Sequence, residues 1–253
     1  MAAAASFAFL GGLVAGSFIS VVAHRVPRRL SIVVPRSRCP SCEAQVAARD
    51  NVPVLSWLLL RGRCRSCGAA IPASYPAVEL GVGIAFLLTV LVLWEQPAQL
   101  AMGLVLVATL AAVTLTDLEQ RVIPNRILLV SAIAGLAIAA IADPASLPER
   151  GIAAAAAGGL LLAAALAYPR GMGMGDVKLA ALMGLYLEDA VAPALLIGFL
   201  AGALVGVAMI VREGSAARKR AVPFGPFLAL GGLVGLLAGP ELVDWYLSTF
   251  LNR

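Results

Sequence analysis

The sequence predicts an all-α polytopic membrane protein of about eight transmembrane helices with a small zinc-ribbon-like insertion. Three observations support this fold class. The 253 residues are 61% hydrophobic and only 13% charged, which is too little charge to cover a soluble domain of this length. The apolar residues are concentrated in long segments. All four cysteines lie in one polar stretch between the first two of these segments.

Eight segments are apolar enough to be predicted as transmembrane helices, which need about 20 mostly apolar residues. In chain order they cover residues 5–23, 77–94, 98–116, 127–142, 152–168, 177–187, 190–211 and 227–250. The sixth is the shortest, because its 11 residues give about 16 Å of helix against a hydrocarbon core of about 30 Å. To span, this helix must begin before Asp176 and draw that carboxyl group below the membrane surface. An ionisable group at that depth is costly and is by default a functional candidate.

These segments divide the chain into three parts: a first transmembrane helix (1–23), a tetracysteine domain (24–75), and a membrane domain with seven further helices (76–253). The first segment lacks the basic n-region of a signal peptide, since the first positive charge is Arg25, after the apolar run. We therefore expect a retained helix whose N-terminus faces outward.

The basic residues predict the orientation. If the eight helices alternate, one side of the membrane receives 17 of the 19 lysines and arginines, including nine in residues 25–75 and four in residues 212–222. The positive-inside rule then places these loops in the cytoplasm and both termini outside. The net charge of +5 follows from this topology and requires no nucleic-acid partner. The basic loop 212–222 is expected to face anionic membrane lipid.

Three segments carry glycine or serine at every fourth position, a spacing that places small residues on one face of a helix. They are Gly12, Gly16 and Ser20; Gly198, Gly202 and Gly206; and Gly231, Gly235 and Gly239. Small residues let helix backbones approach closely, which drives association in lipid. We interpret the three stripes as packing faces rather than as a glycine-lined ligand pocket.

The four cysteines form two CxxC pairs, Cys39 with Cys42 and Cys64 with Cys67, separated by 21 residues. A CxxC turn places two thiolates on one side, and two such turns complete a tetrahedral sulfur shell for zinc. The alternatives are disulfides and a redox motif. The reducing side to which the insertion is assigned argues against disulfides, and two pairs at this spacing favour a metal. Because four sulfur ligands close the shell, we expect the zinc to be structural.

Asp117 and Asp176 stand at the ends of apolar segments that are two predicted crossings apart, so both emerge on the same side. Two adjacent carboxyl groups share one proton, so one can act as base toward a water while the other donates to a carbonyl oxygen. Peptide hydrolysis needs both functions. The single histidine, His24, excludes an HExxH site. Glu119 is the second-choice carboxylate and is expected to be solvated.

Spacing alone equally allows a structural role, in which Asp117 and Asp176 are helix-end residues and Asp176 caps its helix or pairs with Lys178. Lys178 is a candidate supporting residue that either tunes the charge of Asp176 or extends to the interface. Gly173 and Gly175, just before Asp176, leave room for backbone or substrate to approach closely.

At these residues the sequence resembles the type IV prepilin peptidase family of bifunctional leader peptidases and N-methyltransferases. The matching segments recur in order over nearly the whole chain. They are GLVAGSFISVVAHRVP at 12–27, the two CxxC pairs, NVPVLSWLLLRG at 51–62, YPAVE at 75–79, Asp117 with IPN at 123–125, GMGDVK at 173–178, and PFGPFL at 223–228. Ser20 stands where the family commonly has Asn, and Asn125 replaces a frequent Asp.

The resemblance implies an aspartyl endopeptidase that removes leader peptides from prepilins and pseudopilins at the cytoplasmic face of the bacterial inner membrane. Asp117 and Asp176 would be its catalytic pair. It also implies N-methylation of the new N-terminus with S-adenosylmethionine, whose ligands are not assigned to residues of this sequence. Three other functions stay open: a presenilin-like GxGD protease, a transporter that uses the aspartates as a proton relay, and a non-catalytic assembly factor with a zinc module.

Overall fold

The computed structural model describes residues 1–168, 171–214 and 222–250, and over these residues the chain forms helices and no β-strand. The described α-helices are α1 (Ala2–Arg25), α2 (Leu55–Leu59), α3 (Ser74–Leu93), α4 (Pro97–Gln120), α5 (Asn125–Ala142), α6 (Leu147–Ala167), α7 (Met174–Leu187), α8 (Val191–Glu213) and α9 (Gly225–Phe250). Single 3₁₀ turns lie at Ala48–Asp50, Pro144–Ser146 and Glu188–Ala190. Most of the basic loop predicted at 212–222 lies outside the described residues.

Seven helical stretches of the described chain are long and apolar enough to cross a membrane. One of them, Met174–Glu213, is 40 residues long and consists of α7 and α8, joined by the turn Glu188–Ala190. The eight long helices therefore agree with the eight predicted segments, and the all-α membrane class is confirmed. As the short apolar run predicted, α7 begins at Met174, before Asp176.

Helix α5 shows how these helices divide their faces. Its small or polar residues Ser131, Gly135 and Ala139 are buried, whereas Leu129 and Ile133 are about 60% exposed. A soluble helix buries its large apolar residues, because water surrounds its other face. A helix in lipid can expose large apolar side chains and use small residues for close packing, and α5 follows this second pattern.

The chain divides into two compact units, Met1–Trp94 and Glu95–Arg253. The first contains α1 to α3 and the cysteine-rich insertion. The second contains α4 to α9, and its core includes the fully buried side chains of Leu106 on α4, Leu161 on α6 and Leu179 on α7. Both carboxyl groups singled out in the sequence belong to this second unit.

Glycine stripes bring helices together within each unit. A methyl group added at Gly12 on α1 would lie 2.7 Å from the Cα atom of Gly83 on α3. On α9, a methyl group at Gly231 would overlap the backbone of Ala194 on α8. Gly206, the last member of its stripe, faces open space. The predicted packing role is thus confirmed for stripe members on α1 and α9, while Gly206 takes no part in such packing.

A buried arginine holds the far end of α7. Arg150 on α6 is 3% exposed, and its guanidinium donates to the carbonyl oxygens of Leu185 (3.1 Å) and Tyr186 (3.4 Å). It also forms an ion pair of 2.5 Å with Glu188. The last carbonyl groups of a helix have no helical partner and carry partial negative charge, which a cation at this position stabilises. Arg150 therefore anchors the helix that carries Asp176.

Candidate active site and metal centre

Asp117 lies in the last turn of α4 and is buried, with 6% of its surface exposed. Its Oδ2 atom accepts a hydrogen bond of 2.8 Å from the backbone N–H of Gly225, the first residue of α9. The first N–H groups of a helix have no helical acceptor and carry partial positive charge, so they suit a carboxylate. The start of α9 therefore holds Asp117 in place.

Asp176 lies in the first turn of α7 and is also buried, at 8% exposed. Its Oδ2 atom accepts a hydrogen bond of 3.0 Å from the backbone N–H of Gly173, the N-cap residue. The carboxyl group thus helps to cap its own helix, but from the third helical position, whereas the structural interpretation expected Asp176 to be the N-cap residue. Pairing with Lys178 is not seen, because the ammonium group of Lys178 donates instead to Asn125 Oδ1 at 2.9 Å.

Both carboxyl groups line a single cavity of about 230 Å³, which is large enough for several water molecules or a short stretch of peptide. The other lining residues are Arg121, Val122, Ile123, Gly173 and Gly175. Folding therefore brings together two aspartates that are 59 positions apart, from 117 to 176 in the sequence.

The glycines beside Asp176 give the cavity its shape. A methyl group added at Gly175 would lie 2.9 Å from Cβ of Ile123, which also lines the cavity. At Gly173 it would lie 3.4 Å from Oδ2 of Asp176, an ordinary contact distance. Gly175 is thus the position at which a larger residue would narrow the cavity.

Two groups at the site were not among the residues predicted from the sequence. Gly225 supplies the N–H group for Asp117, and Arg121 places a cationic residue on the cavity wall. Arg121 ends α4 in a left-handed conformation (φ 54°). Glu119, the second-choice carboxylate, is exposed and does not line the cavity. In the sequence, Gly225 was included only in the segment PFGPFL at 223–228, which resembles the prepilin peptidase family but was not assigned to the site.

The four cysteines of the insertion form a compact cluster. Their sulfur atoms all lie within 4.8 Å of one another, and Cys39 Sγ lies 3.8 Å from Cys67 Sγ. The cysteines are free, without a disulfide. In a tetrahedral zinc site with Zn–S bonds of about 2.3 Å, sulfur atoms are about 3.8 Å apart. The donor set and its spacing therefore fit a metal ion such as zinc.

The two CxxC turns are built alike, with each part of the second found 25 positions after its counterpart in the first. The N–H of Glu43 donates to the carbonyl of Cys39, and the N–H of Gly68 donates to that of Cys64. Glu43 and Gly68 both have positive φ angles, of 57° and 74°. An isolated β-bridge closes each turn, Arg38 with Gln45 and Arg63 with Ala70. The centre is thus a repeated hairpin.

Hydrogen bonds within the hairpins make the thiols unequal. The backbone N–H groups of Ser41 and Cys42 lower the pKa of Cys39 to about 6. The N–H of Ala69 lowers the pKa of Cys67, but hydrogen bonds with neighbouring thiols and desolvation outweigh it and raise this pKa to about 12. One thiol therefore ionises first and the others follow when a cation binds, as is usual for thiolate sites.

An ion pair supports the hairpin that contains the second cysteine pair. The guanidinium of Arg65 donates twice to Asp50, over 2.8 and 2.6 Å, in the two-pronged geometry that arginine and carboxylate favour. The hydrogen bond from Arg65 lowers the pKa of Asp50. This pair ties the turn Ala48–Asp50 to the loop between Cys64 and Cys67.

Comparisons with known proteins agree with this architecture. Residues 10–93 match the family model of the bacterial peptidase A24 N-terminal domain, and residues 104–207 match that of the type IV leader peptidase family. No solved structure matches the chain. The two matched regions fall one in each compact unit.

Several curated relatives match over nearly the whole chain. A prepilin leader peptidase/N-methyltransferase of Aeromonas salmonicida is 35% identical, over 97% of this chain and 94% of that protein. One of Bacillus subtilis is also 35% identical, over 98% of this chain and 99% of that protein. With this identity over both full lengths, and with the two domains in order, the chain belongs to the type IV leader peptidase family.

Proposed function

We propose that the protein is an aspartyl endopeptidase that removes leader peptides from prepilins and pseudopilins. The observation that carries this proposal is that Asp117 and Asp176, both buried, line one cavity. The names of the relatives and the family membership support the substrate class. A transporter, a presenilin-like protease and an assembly factor are not favoured, because the relatives are prepilin leader peptidases over their whole length.

The two carboxyl groups divide the chemistry between them. The ionised one takes a proton from a water molecule while the water oxygen bonds to the scissile carbonyl carbon. The protonated one donates its proton to the carbonyl oxygen. The intermediate then collapses: the first carboxyl group returns a proton to the amide nitrogen, the C–N bond breaks, and the second carboxyl group recovers its proton. Backbone N–H groups of Gly225 and Gly173 hold one oxygen of each group throughout.

The basic residues support a location for the reaction. With 17 of 19 lysines and arginines assigned to one side, we place the cysteine insertion and the cavity at the cytoplasmic face of the bacterial inner membrane. A prepilin presents its leader on this side. Cleavage just before its hydrophobic segment then occurs where the segment enters the bilayer.

The peptidase is tested with purified protein and a prepilin in detergent, and the product is read by mass spectrometry. We expect Asp117→Asn and Asp176→Asn each to lower the cleavage rate by at least about 100-fold, because each removes a proton acceptor or donor. Glu119→Gln is the matched control and should cleave at the wild-type rate, since Glu119 is exposed and outside the cavity. Wild-type cleavage by either Asn variant would show that the mechanism is wrong.

We propose in addition that the new N-terminal amine is N-methylated with S-adenosylmethionine, as the names of the relatives suggest. The sulfonium methyl group of that cofactor is the electrophile in such a transfer. The same mass spectrum of a co-expressed prepilin reports the cut and the added methyl group together. A product that is cut but never methylated would overturn the second activity and leave the first intact.

We propose zinc as the metal of the cysteine centre and assign it a structural role. Cys39, Cys42, Cys64 and Cys67 would occupy all four positions of a tetrahedral ion, which leaves none for substrate. Elemental analysis of reduced, purified protein should find a single zinc ion per chain. Protein that is folded and active without zinc would refute this assignment.

A further inference from the structure

The cysteine-rich insertion exposes two groups of large apolar side chains outside the membrane-spanning helices. We name residues 30–34 the loop ridge and the leucines of α2 the helix ridge. Their exposed apolar members are Leu30, Ile32, Val33 and Val34 in the loop ridge, and Leu55, Leu58 and Leu59 in the helix ridge, each 40–74% exposed. Contiguous apolar groups of this kind on a protein surface usually mark an interaction site.

The helix ridge is the exposed face of α2. Its three leucines occupy positions i, i+3 and i+4, which fall on one face of α2. On the other face, Ser56 is buried and the indole N–H of Trp57 donates to the carbonyl of Ile71 at 3.0 Å. α2 is therefore a short amphipathic helix. Its polar side packs within the insertion, and its apolar side is exposed.

A hydrogen bond fixes the depth of the helix ridge. The N–H of Val54, which precedes α2, donates to Glu79 Oε2 at 2.7 Å. Glu79 is buried and is the sixth residue of the membrane-spanning helix α3, about 8 Å along the axis from its start at 1.5 Å per residue. The start of α2 is thus held beside the second turn of a helix that is already entering the bilayer.

The loop ridge is held in the same way by the other membrane helix of the unit. Arg25, the last residue of α1, donates to the carbonyl oxygens of Ser31 (2.8 Å) and Pro35 (2.7 Å). The loop between them is folded back against the end of α1. Gly12 on α1 packs against Gly83 on α3, and Gly16 packs against Glu79, so the two helices run in opposite directions. The end of α1 and the start of α3 therefore lie on the same side, and both ridges lie at that membrane surface.

The charges around the ridges complement an anionic surface. Residues 26–73 contain eight arginines and two acidic residues, one of which, Asp50, is already paired with Arg65. The exposed arginines that flank the ridges are Arg28, Arg29, Arg36, Arg61 and Arg63. Apolar side chains next to cationic ones are typical of segments that lie at the boundary of headgroups and acyl chains.

We propose that the insertion lies on the bilayer, with the loop ridge and the helix ridge inserted among the lipid chains and the flanking arginines on anionic lipid phosphates. The occupant of both ridges is the leaflet at which α1 ends and α3 begins. Insertion of the ridges is independent of catalysis, so an inactive protein can still satisfy this proposal and an active one can still refute it.

The test uses full-length protein in nanodiscs of phosphatidylcholine with phosphatidylglycerol. The measurement is tryptophan fluorescence. Trp94→Phe and Trp245→Phe remove two of the three native tryptophans, so Trp57 contributes the same background emission in every variant. Leu59→Trp adds a fluorescent probe on the helix ridge. Gln45→Trp, in the first cysteine hairpin and exposed, is the matched control. An apolar segment that lies in the membrane interface is buried to a depth of about 5–10 Å. We therefore expect lipids whose acyl chains are brominated close to the headgroup to lower the emission of the Leu59→Trp probe at least about twofold. The emission of the Gln45→Trp control should not change.

Two results would overturn the proposal. One is a Leu59→Trp probe that emits as in water and is not quenched. The other is a blue shift that appears only after a prepilin is added, which would make the ridges a substrate surface. Zinc content checks the fold of each variant, and where Leu59→Trp loses the metal, Leu55→Trp probes the same face.

A second variant tests the charge. Arg61→Gln with Arg63→Gln should lower the quenching of the Leu59→Trp probe in phosphatidylglycerol nanodiscs to the level seen in phosphatidylcholine alone. Equal quenching in both lipids, with or without these substitutions, would show that the arginines do not bind anionic lipid.

Discussion

Over the residues that the structure describes, backbone N–H groups rather than side chains donate hydrogen bonds to both carboxyl groups of the candidate active site. Gly173 donates to Asp176 from three residues away, whereas Gly225 donates to Asp117 from a position 108 residues further along the chain. Amide dipoles fixed by a helix start need little rearrangement when charge shifts between the two carboxyl groups. The site is therefore preorganised by the starts of α7 and α9.

Replacing Gly225 tests this arrangement. An alanine Cβ would lie 2.8 Å from Asp117 Oδ2, so the carboxyl group or α9 must move. We expect Gly225→Ala to lower kcat/KM for prepilin cleavage by about 100-fold, because displacements of about 1 Å at a reacting group have effects of this size. Gly159→Ala, at a helical glycine with nothing within 4 Å, should leave cleavage unchanged. A Gly225→Ala enzyme with the wild-type rate would contradict the positioning role.

The repeated hairpins offer a second test at single residues. Gly68 has φ 74° and open space around it, so Gly68→Ala adds conformational strain without a clash. We expect a cost of about 1 kcal/mol and a corresponding loss of metal affinity, measured by competition with a chelator. Glu43 occupies the equivalent position in the other hairpin, at φ 57°. Because glycine adopts this conformation readily, Glu43→Gly should not weaken metal binding. Equal effects of the two changes would refute this explanation.

The sequence predicts the four cysteines because the spacing within each CxxC pair is local and thiol chemistry is distinctive. It predicts Asp117 and Asp176 because each carboxyl group stands at the end of an apolar segment and lies in a segment that resembles the prepilin peptidase family. It does not predict Gly225 or Arg121 as site residues. Gly225 reaches the site only through the packing of α9 in the second unit, and Arg121 through the left-handed end of α4. The sequence suggests that Lys178 acts on Asp176, but its partner is Asn125, which the chain brings near only after folding.

At the scale of helices, a polar cluster joins α4, α5 and α7 inside the second unit. The hydroxyl of Tyr186 donates to the carbonyl of Ser131 at 2.6 Å and accepts from the Ser131 hydroxyl at 3.1 Å. The hydroxyl of Thr109 lies 2.8 Å from that of Ser131. Since α4 carries Asp117 and α7 carries Asp176, this cluster fixes the two aspartate helices against each other.

Tyr186→Phe removes one hydroxyl from this cluster. We expect it to destabilise the protein by about 1 kcal/mol, in the range of side-chain hydrogen bonds between membrane helices, and to lower kcat more than it changes KM. Unfolding in detergent and steady-state cleavage measure the two effects. Thr89→Val is a matched control, because Thr89 is buried and its hydroxyl donates to the carbonyl of Ala85 within its own helix. If both variants alter kcat alike, the cluster has no special positioning role.

At the scale of the whole molecule, the two compact units result from which helices pack on which. The sequence predicts packing faces but not the partner of each face. The predicted boundary near residue 75 follows the end of the cysteine-rich stretch, whereas contacts divide the chain after Trp94. The difference arises because α3 packs on α1 through glycines that are far apart in the sequence. Hydropathy predicts which segments span, and it contains no information on which spans associate.

This division predicts a local response to metal removal. A thiol-selective chelator, or Cys64→Ser, should make residues 26–73 sensitive to protease while the unit Glu95–Arg253 stays resistant, because the four ligands all lie in the insertion. Limited proteolysis followed by mass spectrometry of the fragments measures this. Restored zinc should restore resistance in the chelated wild type. Unchanged digestion after complete metal loss would show that the insertion is ordered without its ion.

The repeated hairpin also has an entropic consequence. An ion held by Cys39 and Cys67 ties the chain into a loop of roughly 25–30 residues. By the chain-entropy relation that applies to disulfides, closing such a loop lowers the conformational entropy of the unfolded chain by an amount worth about 3.5 kcal/mol. Unlike a disulfide, this cross-link opens without any oxidant or reductant. Because α2 lies inside this loop, the availability of the ion determines how well the leucines of α2 are ordered. Loss of the ion would disorder the insertion without breaking a covalent bond of the chain.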